Sequence, residues 1–261
     1  MITSSAAAVA DLARASSLLV VCEFDGAIAE FVADPSDARP IDGALPALQA
    51  LAELDRTRVA VISGRSFDSL CCAFGAREEP KAGRIELIGS DGMEIDQMNL
   101  SLTTEVRRAQ RLLLREASHV ADEYPGVKVD DKPYGVALHV RGATNLDAQR
   151  AIDRLLVALS AIPQRMHSQI RGQVLEVSVL PVGQDWAIDA LRAGRETRVL
   201  YAGNDQRALT SLSANDVGCM VGTDVAGAQM RVASPEALLQ ELVLLARKRA
   251  TVLDATRLIE L

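Results

Sequence analysis

The chain contains 261 residues, of which 49% are hydrophobic and 24% are charged, and its formal net charge is −7. This composition is typical of a folded globular protein, and the length allows one large domain or two small ones. The longest uncharged apolar runs, residues 18–22 and 242–246, are far shorter than the roughly 20 residues of a membrane-spanning helix. An acidic chain also lacks the basic face that nucleic acids require, so we expect a cytoplasmic protein that contacts neither membranes nor nucleic acids.

The first hundred residues alternate between strand and helix patterns. A buried strand is predicted at residues 18–22, followed by a helix over 43–54, a strand over 58–63, a helix over 66–74 and a strand over 85–88. Two further strands are predicted over residues 198–202 and 216–221. A final helix begins at Ser234-Pro235-Glu236, and the basic residues 247–249 are expected at its end, where they complement the helix dipole. This alternation predicts an α/β fold built on a parallel sheet.

The middle of the chain has a different pattern. Helices are predicted over residues 103–123 and 145–161, and short strands over 126–131, 135–141, 164–170 and 173–180. The Arg171-Gly172 turn joins the last two strands as a hairpin. We therefore expect an inserted α/β domain at residues 101–180, within a core formed by residues 1–100 and 181–261.

Polar residues follow three of the predicted parallel strands, at the edge of the sheet where such proteins bind their ligands. They form three pairs: Glu23 and Asp25, Ser63 and Arg65, and Asn204 and Asp205. An acidic strand end with a turn glycine is a common structural feature by itself. Three polar pairs at one edge predict a site with a function.

Four short motifs carry these pairs in a fixed order: Phe24-Asp25-Gly26, residues 61–65 (Val-Ile-Ser-Gly-Arg), residues 88–94 (Ile-Gly-Ser-Asp-Gly-Met-Glu) and residues 201–205 (Tyr-Ala-Gly-Asn-Asp). In this order they resemble the trehalose-6-phosphate phosphatases of the haloacid dehalogenase superfamily, and the resemblance covers nearly the whole chain. It implies a Rossmann-like core that carries the chemistry and a mobile α/β cap that recognises the sugar. It also implies trehalose 6-phosphate as the substrate and Mg²⁺ as the cofactor.

The resemblance further implies a role for each matching residue. In the family, an Asp nucleophile attacks phosphorus, and a second Asp two positions later acts as general acid and base. These two positions are Glu23 and Asp25 in this chain, and Ser63 and Arg65 match the phosphate-binding positions. The implied Mg²⁺ ligands are Glu23, Asp25, Asn204 and Asp205.

Several of these positions depart from the family pattern. Glu23 stands in place of the Asp nucleophile, and Gln184 stands in place of a phosphate-binding Lys. Asn204 and Ala208 replace two acidic residues, and Asp91 replaces a His. Because these losses weaken both the phosphate site and the metal site, we expect lost or much reduced phosphatase activity and weak or absent Mg²⁺ binding.

The cap segments follow the family pattern more closely than the core motifs do. By resemblance, Lys132, Arg141 and Glu176 are the sugar-binding residues, and strand alternation predicts that Arg141 shares a face with His139. Two functions stay open at this point. The protein is an enzyme with residual activity on a phosphorylated sugar, or a noncatalytic protein that binds a sugar or sugar phosphate or regulates another protein of trehalose metabolism.

Overall fold

The computed structural model describes residues 5–32, 34–75, 85–95, 103–180, 183–192, 196–223 and 226–259. The chain divides into two compact units: the core, which comprises Met1–Gln97 and Gly183–Leu261, and the cap, which comprises Met98–Val182. In chain order, the elements are α1 (Ser5–Ala13), β1 (Leu18–Glu23), α2 (Ala44–Ala52), β2 (Thr57–Ile62), α3 (Phe67–Phe74), β3 (Ile85–Gly89), β4 (Glu94–Ile95), α4 (Thr104–Glu123), β5 (Lys128–Lys132), β6 (Gly135–His139), α5 (Asn145–Ser160), β7 (His167–Arg171), β8 (Val174–Ser178), α6 (Gln184–Arg192), β9 (Arg198–Gly203), β10 (Val217–Val221), β11 (Met230–Val232) and α7 (Pro235–Ile259).

The core is built on one sheet whose described strands lie in the order β11-β10-β9-β1-β2-β3-β4. All neighbouring strands from β11 to β3 pair in parallel, and β4 pairs with β3 in the antiparallel sense. The central strand, β1, lies between β2 and β9. The predicted α/β fold with a parallel sheet is therefore confirmed.

Apolar side chains cover both faces of this sheet. Strand β1 contributes Leu18, Val20 and Cys22 to a cluster with residues of α1, α2, α3 and α7. It contributes Leu19 and Val21 to a second cluster with residues of α6. Because alternate side chains of a strand point to opposite faces, a strand covered on both sides must be apolar throughout. This is why β1 is a continuous apolar run that ends at the first polar residue of the site.

The cap contains an antiparallel sheet in the order β5-β6-β8-β7, and α4 contacts β5, β6 and α5. Strand β6 ends at His139, earlier than predicted, and Arg141 lies in the turn that follows. In that turn the backbone N–H of Ala143 donates to the carbonyl of Val140 at 3.1 Å. The prediction that Arg141 and His139 share a strand face is therefore wrong, because the chain turns before Arg141 can continue the alternation.

The last helix, α7, is longer than predicted and extends to Ile259 rather than ending at residues 247–249. Arg249 is fully buried, and its guanidinium donates to Thr57 Oγ1 at 2.6 Å and to the carbonyls of Ala15 and Arg56 at 2.8 and 2.9 Å. Arg249 thus fastens α7 to the segments that precede β1 and β2, and does not complement a helix end. No helix in the described ranges combines the length and apolarity needed to cross a membrane.

Candidate functional site

The site lies where β1 ends at the carboxyl edge of the core sheet. The backbone N–H of Phe24 still donates to the carbonyl of Ile62 at 2.9 Å, so the chain stays paired with β2 for one residue beyond Glu23. Gly26 then turns the chain with a φ of 82°, a left-handed conformation that glycine adopts without strain. The side chains of Glu23 and Asp25 therefore start from a rigid strand end.

The carboxylate of Glu23 is buried and is held through both of its oxygens. The Gln184 Nε2 group donates to Oε1, and the backbone N–H of Asn204 donates to Oε2. A β-carbon at position 203 would lie 2.6 Å from Oε2, so only Gly203 lets the loop after β9 approach so closely. Glu23 is one methylene longer than the Asp of the family pattern, and hydrogen bonds from Gln184 and Asn204 hold its carboxylate in place.

Gln184, at the start of α6, is the centre of this buried network. Its Nε2 lies 3.4 Å from Asp91 Oδ1 as well as donating to Glu23, and its Oε1 accepts a hydrogen bond from the Tyr201 hydroxyl at 2.9 Å. Burial, followed by the negative charge of Glu23, raises the pKa of Tyr201 well above its usual value. Tyr201 therefore remains a hydrogen-bond donor at neutral pH, and a neutral amide bridges two carboxylates.

Asp25 forms a separate cluster with Ser63 and Arg65, which we call the anion cradle. Arg65 donates to both carboxylate oxygens of Asp25, from Nε at 2.9 Å and from Nη2 at 2.6 Å, and Ser63 Oγ donates at 3.1 Å. The guanidinium also lies 5.3 Å from the centre of the Phe24 ring, within cation–π range. The groups that the resemblance assigns to phosphate thus hold a carboxylate of the protein itself.

The loop after β3 completes this edge of the site. Its backbone N–H groups donate to the loop that follows β2: Ser90 N to the carbonyl of Arg65 at 2.6 Å, and Asp91 N to the carbonyl of Ser63 at 2.9 Å. Ser90 and Asp91 both have positive φ angles, of 50° and 54°. A left-handed backbone conformation costs about 1–3 kcal/mol for a non-glycine residue, and such residues are concentrated at functional sites. Asp91 and Tyr201 were not among the predicted site residues, although both lie within the four sequence motifs.

The residues assigned to Mg²⁺ take part in hydrogen bonds within the protein. Both oxygens of Glu23 already accept hydrogen bonds, and the main-chain oxygen of Asp25 accepts from Asn204 Nδ2 at 3.3 Å. Asp205 Oδ1 accepts from the backbone N–H of Arg207 at 2.9 Å and so caps the short helix that follows. Across the described ranges, no group of three or more His, Cys, Asp or Glu side chains is arranged to hold a metal ion. Mg²⁺ requires oxygen ligands in a nearly ideal octahedral arrangement. Here N–H groups of Gln184 and Asn204 point at the oxygens of Glu23 and at the main-chain oxygen of Asp25.

In the cap, two of the three predicted sugar-binding residues lie on one face of the sheet. Lys132 stands opposite Gly135 and Glu176 stands opposite Ala137 in the strand register, so small residues separate them. Lys132 is buried, with Nζ 3.0 Å from Asp130 Oδ2. Residues on one face of neighbouring strands can contact a common ligand.

Arg141 lies beyond β6 and is exposed. It nevertheless affects His139, the last residue of that strand. Burial lowers the pKa of His139, and the positive charges of Lys132 and Arg141 lower it further, against an opposing effect of Asp130. The cap therefore places charged side chains of both signs along β6.

Sequence comparison identifies the family. Residues 21–206 match the sequence model of the trehalose-phosphatase family. This chain belongs to the trehalose-phosphatase family. Among its trehalose-phosphatase relatives, the trehalose-phosphate phosphatase of Mycobacterium ulcerans is 29% identical over 216 residues, which cover 77% of this chain and 53% of that protein. The corresponding protein of Mycobacterium avium is 36% identical over 129 residues, which cover 48% of this chain and 31% of that protein.

These matches span about half, or less, of the relatives' own lengths. The trehalose-phosphatase fold itself is confirmed by a solved structure, the C-terminal domain of Candida albicans trehalose-6-phosphate phosphatase. That domain superimposes with a TM-score of 0.75 at 16% identity, over 94% of this chain and 97% of the domain. The predicted haloacid dehalogenase-type core with an α/β cap is therefore correct, and the resemblance read from the four motifs is confirmed.

Proposed function

We propose that this trehalose-phosphatase family member is a noncatalytic protein of the cytoplasm that binds a trehalose-like sugar without hydrolysing a phosphate ester. The observation that carries the proposal is the buried Gln184 amide, which bridges Glu23 and Asp91 where the family pattern has a cation. A neutral amide cannot offset the electrostatic repulsion between a phosphate group and the carboxylates of the site.

The charges around the site oppose phosphate binding. The carboxylates of Glu23, Asp25 and Asp91 face the site, and the guanidinium of Arg65 is already paired with Asp25 at 2.6 Å. A phosphate ester would add negative charge to this cluster in a partly buried environment, where charges interact more strongly than in water. Phosphoryl transfer depends mainly on positioning and on stabilising that charge, and here the guanidinium of Arg65 already pairs with a carboxylate of the protein.

The nucleophile position supports the same conclusion. A nucleophilic carboxylate must approach phosphorus along a defined line, and misplacement by about 1 Å can cost on the order of 10²-fold in rate. Glu23 is longer than Asp by one methylene, and its two oxygens accept hydrogen bonds from Gln184 and Asn204. An attack through either oxygen of Glu23 would compete with the hydrogen bond that this oxygen accepts.

The cap retains groups suited to a sugar. Lys132 and Glu176 lie on one sheet face with the small residues Gly135 and Ala137 between them. A carboxylate and an ammonium can orient the hydroxyl groups of a sugar by charge-assisted hydrogen bonds without breaking any bond. We propose Lys132, Arg141 and Glu176 as this sugar-binding set.

The proposal is tested by assaying phosphate release from trehalose 6-phosphate with Mg²⁺ present, with the Mycobacterium ulcerans trehalose-phosphate phosphatase as positive control. We expect no turnover above background, whereas a rate near the enzyme median of about 10 s⁻¹ would contradict the proposal. In parallel, trehalose should raise the melting temperature of the protein by mass action, and Glu176→Ala should reduce that rise. If trehalose and its phosphate both leave the melt unchanged, regulation of another protein of trehalose metabolism becomes the better assignment.

A further inference from the structure

A cavity of about 600 Å³ lies on the core beside the turn at Gly26. Its walls come from the segments that follow β1, β9 and β10 and from the start of α7. Residues that matter for its chemistry are Gly26, Glu30, Phe31, Asn204, Thr223 and Ser234. All of them belong to the core, whereas the residues proposed for sugar binding belong to the cap.

Phe31 gives the cavity an exposed aromatic wall. Its side chain is 73% exposed, in a chain of which only 3% of residues are aromatic. A β-carbon at Gly26 would lie 2.6 Å from Phe31 Cζ and 2.7 Å from Asn204 Nδ2. The ring therefore packs against the glycine backbone and stays accessible, so it is held in place without being buried in the core.

Polar groups border this ring. Glu30 and Thr223 are exposed, and Asn204 is partly exposed. A sugar ring has an apolar face of C–H groups and an edge of hydroxyls, so it matches an aromatic surface with hydrogen-bonding groups around it. The only formal charge among these groups, the carboxylate of Glu30, favours a neutral ligand over an anionic one.

We infer that this cavity is a carbohydrate subsite that binds an unphosphorylated hexose ring against Phe31. The inference rests on the proposed function, since it assumes that the protein binds a sugar without hydrolysing it. It also extends that function, because it places a second sugar contact on the core and specifies that the sugar carries no phosphate. Trehalose is a suitable probe, since it is neutral and consists of two hexose rings.

The experiment is saturation-transfer difference NMR with trehalose on four proteins: the parent, Glu176→Ala, and Glu176→Ala combined with Phe31→Leu or with Phe31→Trp. Glu176→Ala removes the sugar site proposed for the cap. Phe31→Leu keeps an apolar side chain but removes the aromatic ring, whereas Phe31→Trp enlarges the ring. We expect transfer to persist in Glu176→Ala, to fall at least fivefold on adding Phe31→Leu, and to persist with Phe31→Trp. Trehalose 6-phosphate should compete weakly for this signal.

The outcomes separate the inference from the proposed function. If the parent gives a signal that Glu176→Ala abolishes, the cap site stands and the subsite on the core is refuted. If Glu176→Ala leaves the signal unchanged and Phe31→Leu removes it, the core subsite stands and the sugar site of the cap is refuted. Equal signals with Phe31→Leu and Phe31→Trp overturn the role of the aromatic ring, and the absence of any signal from the parent refutes both.

Discussion

Replacing Asp25 with Asn should open the anion cradle to phosphate. Asp25 occupies the cradle through two hydrogen bonds from Arg65, at 2.9 and 2.6 Å, and one from Ser63 at 3.1 Å. A hydrogen bond to a charged group is worth about 1.5–3 kcal/mol, and the lower value applies because the Asp25 side chain is 28% exposed. If Asp25→Asn weakens this competing interaction with Arg65 by about 1.4 kcal/mol, an added anion should bind roughly tenfold more tightly.

The assay is calorimetric titration of the parent and of Asp25→Asn with inorganic phosphate and with trehalose 6-phosphate. Asp25→Asn should bind phosphate about tenfold more tightly than the parent, and the gain should shrink at high salt because exposed charges are screened. Asp37→Asn is the matched control, since it makes the same substitution at an exposed position outside the cradle and should change affinity much less. Equal phosphate affinities of Asp25→Asn and the parent would refute the view that the protein's own carboxylate fills the phosphate position.

Four further predictions concern stability and reactivity. Gln184→Leu removes a buried amide that hydrogen-bonds to Glu23, Asp91 and Tyr201. Urea unfolding should therefore show a decrease of about 2–4 kcal/mol in the free energy of unfolding. The control Gln149→Leu, on the exposed face of α5, should cost under about 0.5 kcal/mol. Arg249→Met should lower the free energy of unfolding by about 3 kcal/mol because buried carbonyls lose their donor, and exposed Arg247→Met should have little effect; equal losses would contradict the fastening role. Burial raises the pKa of Cys22 and Cys219 from 9.0 to about 12, so native alkylation at pH 8 followed by mass spectrometry should label exposed Cys72 and leave these two unmodified. The same shifts mean that between pH 9 and 12 the unfolded chain has released these protons and the folded chain has not, so stability should fall as pH rises through that range.

The elements of the core could be predicted because their sequence patterns are local. The apolar run of β1 and the polar residues directly after it indicated both a buried parallel strand and the edge at which the site forms. The extent of α7 could not be predicted in the same way. Residues 247–249 have the composition of a helix end, but the partners of Arg249 lie 192 residues or more away in sequence. Only the packed structure shows that this arginine is buried.

The candidate site was predicted as a set of positions but not as a set of contacts. Glu23, Asp25, Ser63, Arg65 and Asn204 lie at one edge, as their places after parallel strands indicated. The pairing of cations with carboxylates depends on side-chain rotamers, which sequence patterns do not specify. The pairing of Asp25 with Arg65 therefore could not be predicted from the sequence. The link from Gln184 to Glu23 spans 161 residues and depends on where α6 begins relative to the sheet.

The central place of β1 has a consequence for how the protein is made. Its two neighbours in the sheet are β2, which follows closely in the chain, and β9, whose partner residues lie 180 positions further on. At about 5–20 residues per second, a ribosome adds that length in roughly ten to forty seconds. During this time the nascent chain displays one unpaired edge of its most apolar strand, a template for pairing with other chains. We therefore expect chaperones to capture the emerging first hundred residues. Refolding of the intact protein should also be slow, because the pairing of β1 with β9 is non-local.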